Sequence, residues 1–417
     1  MGPGAAIKPK RSGSFKEYPI ASTGKISALY QGVPAFDAPL PTHMTTRCFT
    51  SFMPGTVVSL ARLAPLWLML SLPLPSQAII FFSTPDPSFN TSAPTGDLAD
   101  SGWNLQGHWG AFLGTPIAPN LFITAKHVGG APGQTFSFRG VNYPAVDSFA
   151  DPQSDLRIFK VCGIFPAFAG LYATSDEIGR RMMIFGRGTR RGVEVQGDAA
   201  VGTELKGWQW GASDGVVRWG TNVVSTVSGA IEGLGQLLAA DFDAGAGASE
   251  CHLSSGDSGG AIFIHAGGTW KLAGINYAVD GPFNTASSGP GFMAALFDIG
   301  GLFQRNALTG TWDYAPPNPV IDTPSAFYAT RISANLAWIN STVAQHAVQS
   351  LPPVLEFTSD LNQPFATHLA YTVDEPARTI TIAAPTSSLF LRLKNCLAHQ
   401  IVSTEQVNGQ WLIHYSP

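Results

Sequence analysis

The sequence predicts an all-β fold with one helix late in the chain and a small β extension after it. Three observations predict this. Short apolar runs punctuated by turn residues recur through the middle of a 417-residue chain that holds 45 glycines and 31 prolines. A single stretch, Ile332 to Gln345, has a helical apolar period. Further alternating runs follow it. With 45% hydrophobic and 12% charged residues, the composition is that of a folded globular chain without an acidic or basic tail. A net charge of −4 gives no basic face for phosphates, so no nucleic-acid partner is expected. The sequence does not indicate an oligomeric state.

Residues 1–78 read as a leader. Within them RLAPLWLMLSLPLP, Arg62 to Pro75, is an apolar core preceded by arginines and followed by the small residues Ser76-Gln77-Ala78. That order is the order of a secretory signal peptide, and the run is too short and too proline-broken for a membrane span. No stable span is therefore expected after cleavage. A signal peptide belongs at an N-terminus, so translation is expected to start at Met44 or Met53, with cleavage after Ala78. The product would be secreted, or periplasmic in a Gram-negative bacterium. A buried helix or a single anchor is the other reading of the run.

Residues 79–346 form the main β-rich unit. After a turn-rich lead-in, HWGAFLG, NLFITAKHV, SDLRIFKV, RMMIFGRG, GVVRWGTNVV and AIFIHAGGTWKLAGINYAV read as strands, at a spacing that suits a barrel or sandwich and not alternating βα units. In the helix, Ile332, Leu336, Ile339 and Val343 share one face and should pack on the core. Residues 347–417 form the extension: LPPVLEF opens a linker, and RTITIAAP, SLFLRLK and GQWLIHYS read as strands.

Four cysteines are present, and Cys48 falls in the leader. Cys162, Cys251 and Cys396 remain, an odd number with no metal-binding spacing. A bridge between Cys162 and Cys251 and a set of free buried thiols are both compatible with this.

The chemistry centres on CHLSSGDSGGAIFI, Cys251 to Ile264, in which Ser258 is either a nucleophile or a small residue in a glycine-rich turn. A serine hydroxyl needs a base to take its proton and a third group to hold that base. With His346, His368, His399 and His414 in or beside the C-terminal extension and His43 in the leader, His108, His127, His252 and His265 remain, and only His127 ends an apolar run just as the chain turns, in LFITAKHVGG. Asp155 leads the strand-like run SDLRIFKV, with Asp147 and Asp151 as nearby competitors.

TAKHV, SDLRIFKV and GDSGGAIFI, in that order, resemble the TAAHC, DIALLKL and GDSGGPLV signatures of trypsin/chymotrypsin-like serine proteases. FYATRISANLAWINSTVAQ resembles that family's C-terminal helix and its lead-in strand. The resemblance covers about residues 79–345. It implies a double β-barrel, a protein or peptide substrate, no metal and no cofactor. It implies Ser258 as nucleophile, His127 as general base and acid, Asp155 as orienting acid, and the Gly256 and Ser258 amides as the oxyanion hole. It also implies that Asp257 pairs with a new N-terminus, for which Ile79 is placed by cleavage after Ala78.

The chain departs from the family at Val128, where a cysteine is common, and at His252, where trypsins carry an acid at the base of the substrate pocket. His252 would select acidic side chains if protonated, or pack as a neutral wall. Ala278 and Val279 fall where pockets admitting large side chains often have glycine, so a narrowed pocket is expected. Both GPGFMAALFD and SAFYATRIS resemble the strand entering the last helix. Two other functions share these residues: an inactive protease fold used as a binding module, and an esterase. The order His127, Asp155, Ser258 is the reverse of the α/β-hydrolase order.

Overall fold

The structure, a computed structural model, describes residues 79–197, 204–348, 353–360, 362–365, 370–384, 390–394 and 400–416. The leader, its two candidate start sites and Cys396 lie outside the described residues.

The apolar runs become strands because their alternation serves two cores at once. In Leu121–Ala125 every residue is buried. Phe122 points into an aromatic core with Trp109, Phe136 and Phe159, while Leu121, Ile123 and Ala125 join a second core on the other face. Leu156–Val161 divides the same way, with Leu156 and Ile158 on one side and Phe159 and Val161 on the other. Six strands close into a barrel in the order Gly107–Trp109, Phe112–Ala118, Leu121–Ala125, Leu156–Val161, Val141–Ala150, Thr135–Phe138. Its interior is aromatic: the rings of Phe122 and Phe136 stack with centroids 3.9 Å apart.

A second, seven-stranded sheet runs Arg218–Val223, Arg181–Gly186, Ala261–Ala266, Thr269–Val279, Ala326–Arg331, Leu237–Asp241, Thr226–Val227. This half-barrel also alternates. Met183, Phe185, Ala261 and Phe263 face the core shared with the barrel, and Met182, Ile184, Ile262 and Ile264 face the half-barrel's own. The helix Leu336–His346 follows a 3₁₀ turn at Ser333–Asn335. Ile332 and Ile339 are fully buried in the shared core and Leu336 and Val343 pack on it, so the expected stripe is the packed one. A bidentate pair from Arg331 to Glu177, with Ser333 donating to the same carboxylate, holds the strand-to-helix junction.

The strand entering the helix is Ala326–Arg331, within SAFYATRIS. Within GPGFMAALFD, Ala294–Leu296 instead pairs with Leu205–Ser213, which pairs in turn with Thr189–Gln196. This three-stranded sheet was not expected, and it matters for the pocket described below. LPPVLEF also differs from its expected linker role: Val354–Thr358 is a strand paired with Phe390–Lys394, burying Leu355. Tyr371–Asp374, Thr379–Ala383, Gln410–Ser416 and Gln400–Val407 form a four-stranded sheet after it. Cys162 is disulfide-bonded, and not to Cys251, whose buried thiol is free. The bridge between those two residues is thereby corrected. Among the described residues no helix is long and apolar enough to cross a membrane.

Candidate active site

Each of the three motif residues leaves its element where a barrel strand begins or ends. Leu121–Ala125 runs directly into a 3₁₀ turn, Lys126–Val128, which carries His127. Asp155 precedes Leu156–Val161, the strand paired with Leu121–Ala125, so the acid and the histidine lie across one ladder. The Lys126 N–H donates to the Asp155 carbonyl at 2.7 Å and fixes that register at the site itself.

Ser258 comes from the half-barrel, on the turn before Ala261–Ala266. Gly259 follows it at φ 75°, and a Cβ there would lie 2.3 Å from Thr124 Oγ1 and 2.7 Å from the Leu113 carbonyl. Glycine is therefore what lets the serine turn press against the barrel that carries His127.

The side chains meet across that junction. His127 Nε2 lies 2.8 Å from Ser258 Oγ, and His127 Nδ1 lies 2.5 Å from Asp155 Oδ2. Asp155 Oδ1 accepts the His127 backbone N–H at 3.0 Å, so one carboxylate holds both ends of the residue. Asp155 is buried, which leaves the carboxylate few other partners. The histidine ring meets Tyr277 edge-on with centroids 5.5 Å apart. The two competing acids are engaged elsewhere. Asp151 accepts from Ser154 Oγ at 2.6 Å and the Gln153 N–H at 3.0 Å, and exposed Asp147 accepts from the Ser148 N–H.

Gly256 has φ 96°, and a Cβ on it would meet Gly188 Cα at 2.8 Å. Among the described residues neither the Gly256 nor the Ser258 N–H has an intramolecular acceptor. Two such amides beside a nucleophile can receive a developing oxyanion. Between them, Asp257 is buried and accepts from the Gly188 N–H, the Ser254 N–H and Ser254 Oγ at 2.7, 2.7 and 2.8 Å. Burial pushes its carboxyl up to about 6. No ion pair to Asp257 exists among the described residues.

Beside Ser258 is a cavity of about 20 Å³, with Trp210, Leu253, Tyr277, Ala278 and Val279 in its lining. Ala278 and Val279 both line it, and the space is narrow. His252 stands elsewhere. Its strand, Cys251–His252, pairs with Ile80–Phe81, and this turns the ring away from the cavity and edge-on to Phe242 and Phe327. The ring is fully buried, with Nδ1 2.7 Å from the Leu253 carbonyl and Nε2 3.4 Å from Ser325 Oγ. Burial pushes it down to about 4, so at neutral pH it carries no charge for an acidic side chain to meet. Both roles expected of His252 in the pocket are corrected by this placement. Trp210 had no signal in the motifs, because it reaches the cavity from a hairpin.

No family model matches the sequence, and no curated protein matches it either. Among solved structures the chain is similar to neuropsin, a serine protease expressed in the limbic system of mouse brain, at 13% identity and a TM-score of 0.36. That match covers 58% of this chain and 96% of that one. The architecture rests on the closed barrel, the half-barrel and the terminal helix themselves. The fold is all-β, one closed barrel and a half-barrel with a helix at the end of the unit.

Proposed function

We propose that the chain is a secreted serine endopeptidase that hydrolyses peptide bonds through an acyl-enzyme. The observation that carries this reading is the continuous contact from Asp155 through His127 to Ser258 Oγ, with hydrogen-bonding distances of 2.5 and 2.8 Å. His127 Nε2 accepts the Ser258 proton as Oγ attacks the carbonyl carbon. Asp155, holding Nδ1–H, fixes the tautomer that leaves Nε2 free to accept and stabilises the imidazolium that forms. The Gly256 and Ser258 amides bind the oxyanion. His127 then returns the proton to the leaving amine, and water repeats the sequence to release the acid. No group beyond these side chains and amides is required.

Disulfide-bonded Cys162 supports an oxidising compartment, as secretion requires. Cleavage after Ala78 is further supported at Ile79, which is buried and has φ 57°. A β-branched residue in the left-handed region costs about 1–2 kcal/mol. A new N-terminus at Ile79 has no φ to constrain, and the resemblance implies that its ammonium pairs with Asp257. N-terminal sequencing of active protein tests this, with Ile79 as the expected first residue and any upstream start as the contrary result. Residues 347–417 are carried as a separate small extension.

Digestion of unfolded casein tests the endopeptidase itself. Wild-type protein should fragment it, and Ser258→Ala protein should not. Casein left intact by folded wild type, but retained by it, would favour the binding module.

A further inference from the structure

The cavity beside Ser258 is small, with about 20 Å³ of space open to the centre of a water-sized group. None of its lining residues carries a charge at neutral pH. Two walls make it small. Val279 and Ala278 end the strand Thr269–Val279, only 3% and 5% exposed. Trp210 comes from the hairpin Thr189–Gln196/Leu205–Ser213, which leaves the half-barrel just after Gly186.

That hairpin is fixed in place. The Trp210 N–H donates to the Met293 carbonyl at 3.0 Å, and its strand pairs with Ala294–Leu296, on the excursion that leaves the half-barrel after Val279. Two excursions from opposite sides of the pocket are thus sewn together. The Arg191 guanidinium lies 3.3 Å over the ring of buried Trp208 and donates to the Phe82 carbonyl, tying the hairpin's other strand to the end of Ile80–Phe81. Trp210 itself packs against both adjoining core clusters, so its ring is a wall and not a surface flap.

We propose that Trp210 is a specificity-determining residue, and that together with Val279 it restricts the side chain before the scissile bond to glycine or alanine. This rests on the endopeptidase reading of Ser258. A longer or branched side chain must displace the indole or Val279, and both pack against core clusters. An acidic or basic side chain would in addition find no counter-charge.

The test is a matched series of fluorogenic peptides differing only before the scissile bond, carrying Gly, Ala, Val, Leu, Phe, Glu or Lys. Rates are normalised to sites titrated with a fluorophosphonate. Wild type should favour Gly and Ala over Leu, Phe, Glu and Lys by about tenfold or more in kcat/KM. Trp210→Ala should raise the Leu/Ala and Phe/Ala ratios by about tenfold or more. A purely structural role for Trp210 would lower all rates together and leave the ratios where they are. Trp210→Leu, which keeps an apolar wall, should fall between and serves if the alanine variant does not accumulate. Exposed Val193→Ala in the same hairpin should keep the wild-type ratios. Titrated wild type that prefers Leu, Phe, Glu or Lys would overturn the proposal with the endopeptidase reading intact. Titrated Trp210 variants with wild-type ratios would overturn the role of Trp210. Protein that cannot be titrated would overturn both.

Discussion

The two sides of Ser258 Oγ are built on different physics. Toward His127 the contacts are directional: the imidazole has one partner at each ring nitrogen, and Asp155 holds the histidine through both its ring and its backbone. Toward the cavity the contacts are matters of volume, set by how far Trp210, Leu253, Ala278 and Val279 intrude. A hydrogen-bond chain admits few residue types at each place, because an unpartnered buried polar group is costly. A steric wall can be supplied by many residues from many places in the chain. Changes on the first side should therefore abolish turnover, and changes on the second should redirect it.

The largest expected effect is on the directional side. Ser258→Ala and His127→Ala should each lower kcat by about 10⁶-fold, with little additional loss when combined, because the residues act as one unit. Steady-state kinetics of the single and double variants check this, and additive losses would break the distinction drawn above. Asp155→Asn should cost about 10⁴-fold in kcat by leaving the histidine in the wrong tautomer. Asp151→Asn removes only an acceptor for Ser154 and Gln153 and should cost far less. The reverse ranking would assign the orienting role to Asp151.

Gly256→Ala should lower kcat by about 10²–10³-fold, since a Cβ at φ 96° against Gly188 displaces the oxyanion amide. KM should move much less. The smallest effect concerns stability on the cavity's far side. His252 is held below its unfolded value, so its neutral form favours the fold above pH 6.5, and that stability is lost as pH falls toward about 4. Replacing it by glutamine removes the titration. The difference between wild type and His252→Gln in denaturant melts should therefore shift by about 3 kcal/mol against wild type between pH 7 and pH 4. A difference independent of pH would mean that the ring titrates alike in the folded and unfolded states.

Legibility in the sequence follows the same division. His127 and Asp155 were readable because each adjoins a strand whose alternation is intact on both faces, Leu121–Ala125 and Leu156–Val161, and Ser258 was readable from the glycine-rich GDSGG turn before Ala261–Ala266. Their chemistry also requires those residue types. The helix was readable through four residues on one face. The hairpin Thr189–Gln196/Leu205–Ser213 was not: TRRGVEVQ and LKGWQWGAS carry glycines and charges, and the ladder between them is broken by register shifts. Val354–Thr358 was hidden by the two prolines before it, which signal a linker. His252 was misread because spacing from the serine says nothing of which way a ring turns. That was decided by the pairing of Cys251–His252 with Ile80–Phe81, about 170 residues away.

The central claim is that Ser258 is an activated nucleophile, and the most direct measurement is to map the adduct of a fluorophosphonate probe on the folded protein by peptide mass spectrometry. The account predicts a single adduct on Ser258, formed far more slowly in Asp155→Asn protein and absent from His127→Ala protein on the same timescale. No adduct on folded wild-type protein, or an adduct on another residue, would contradict it.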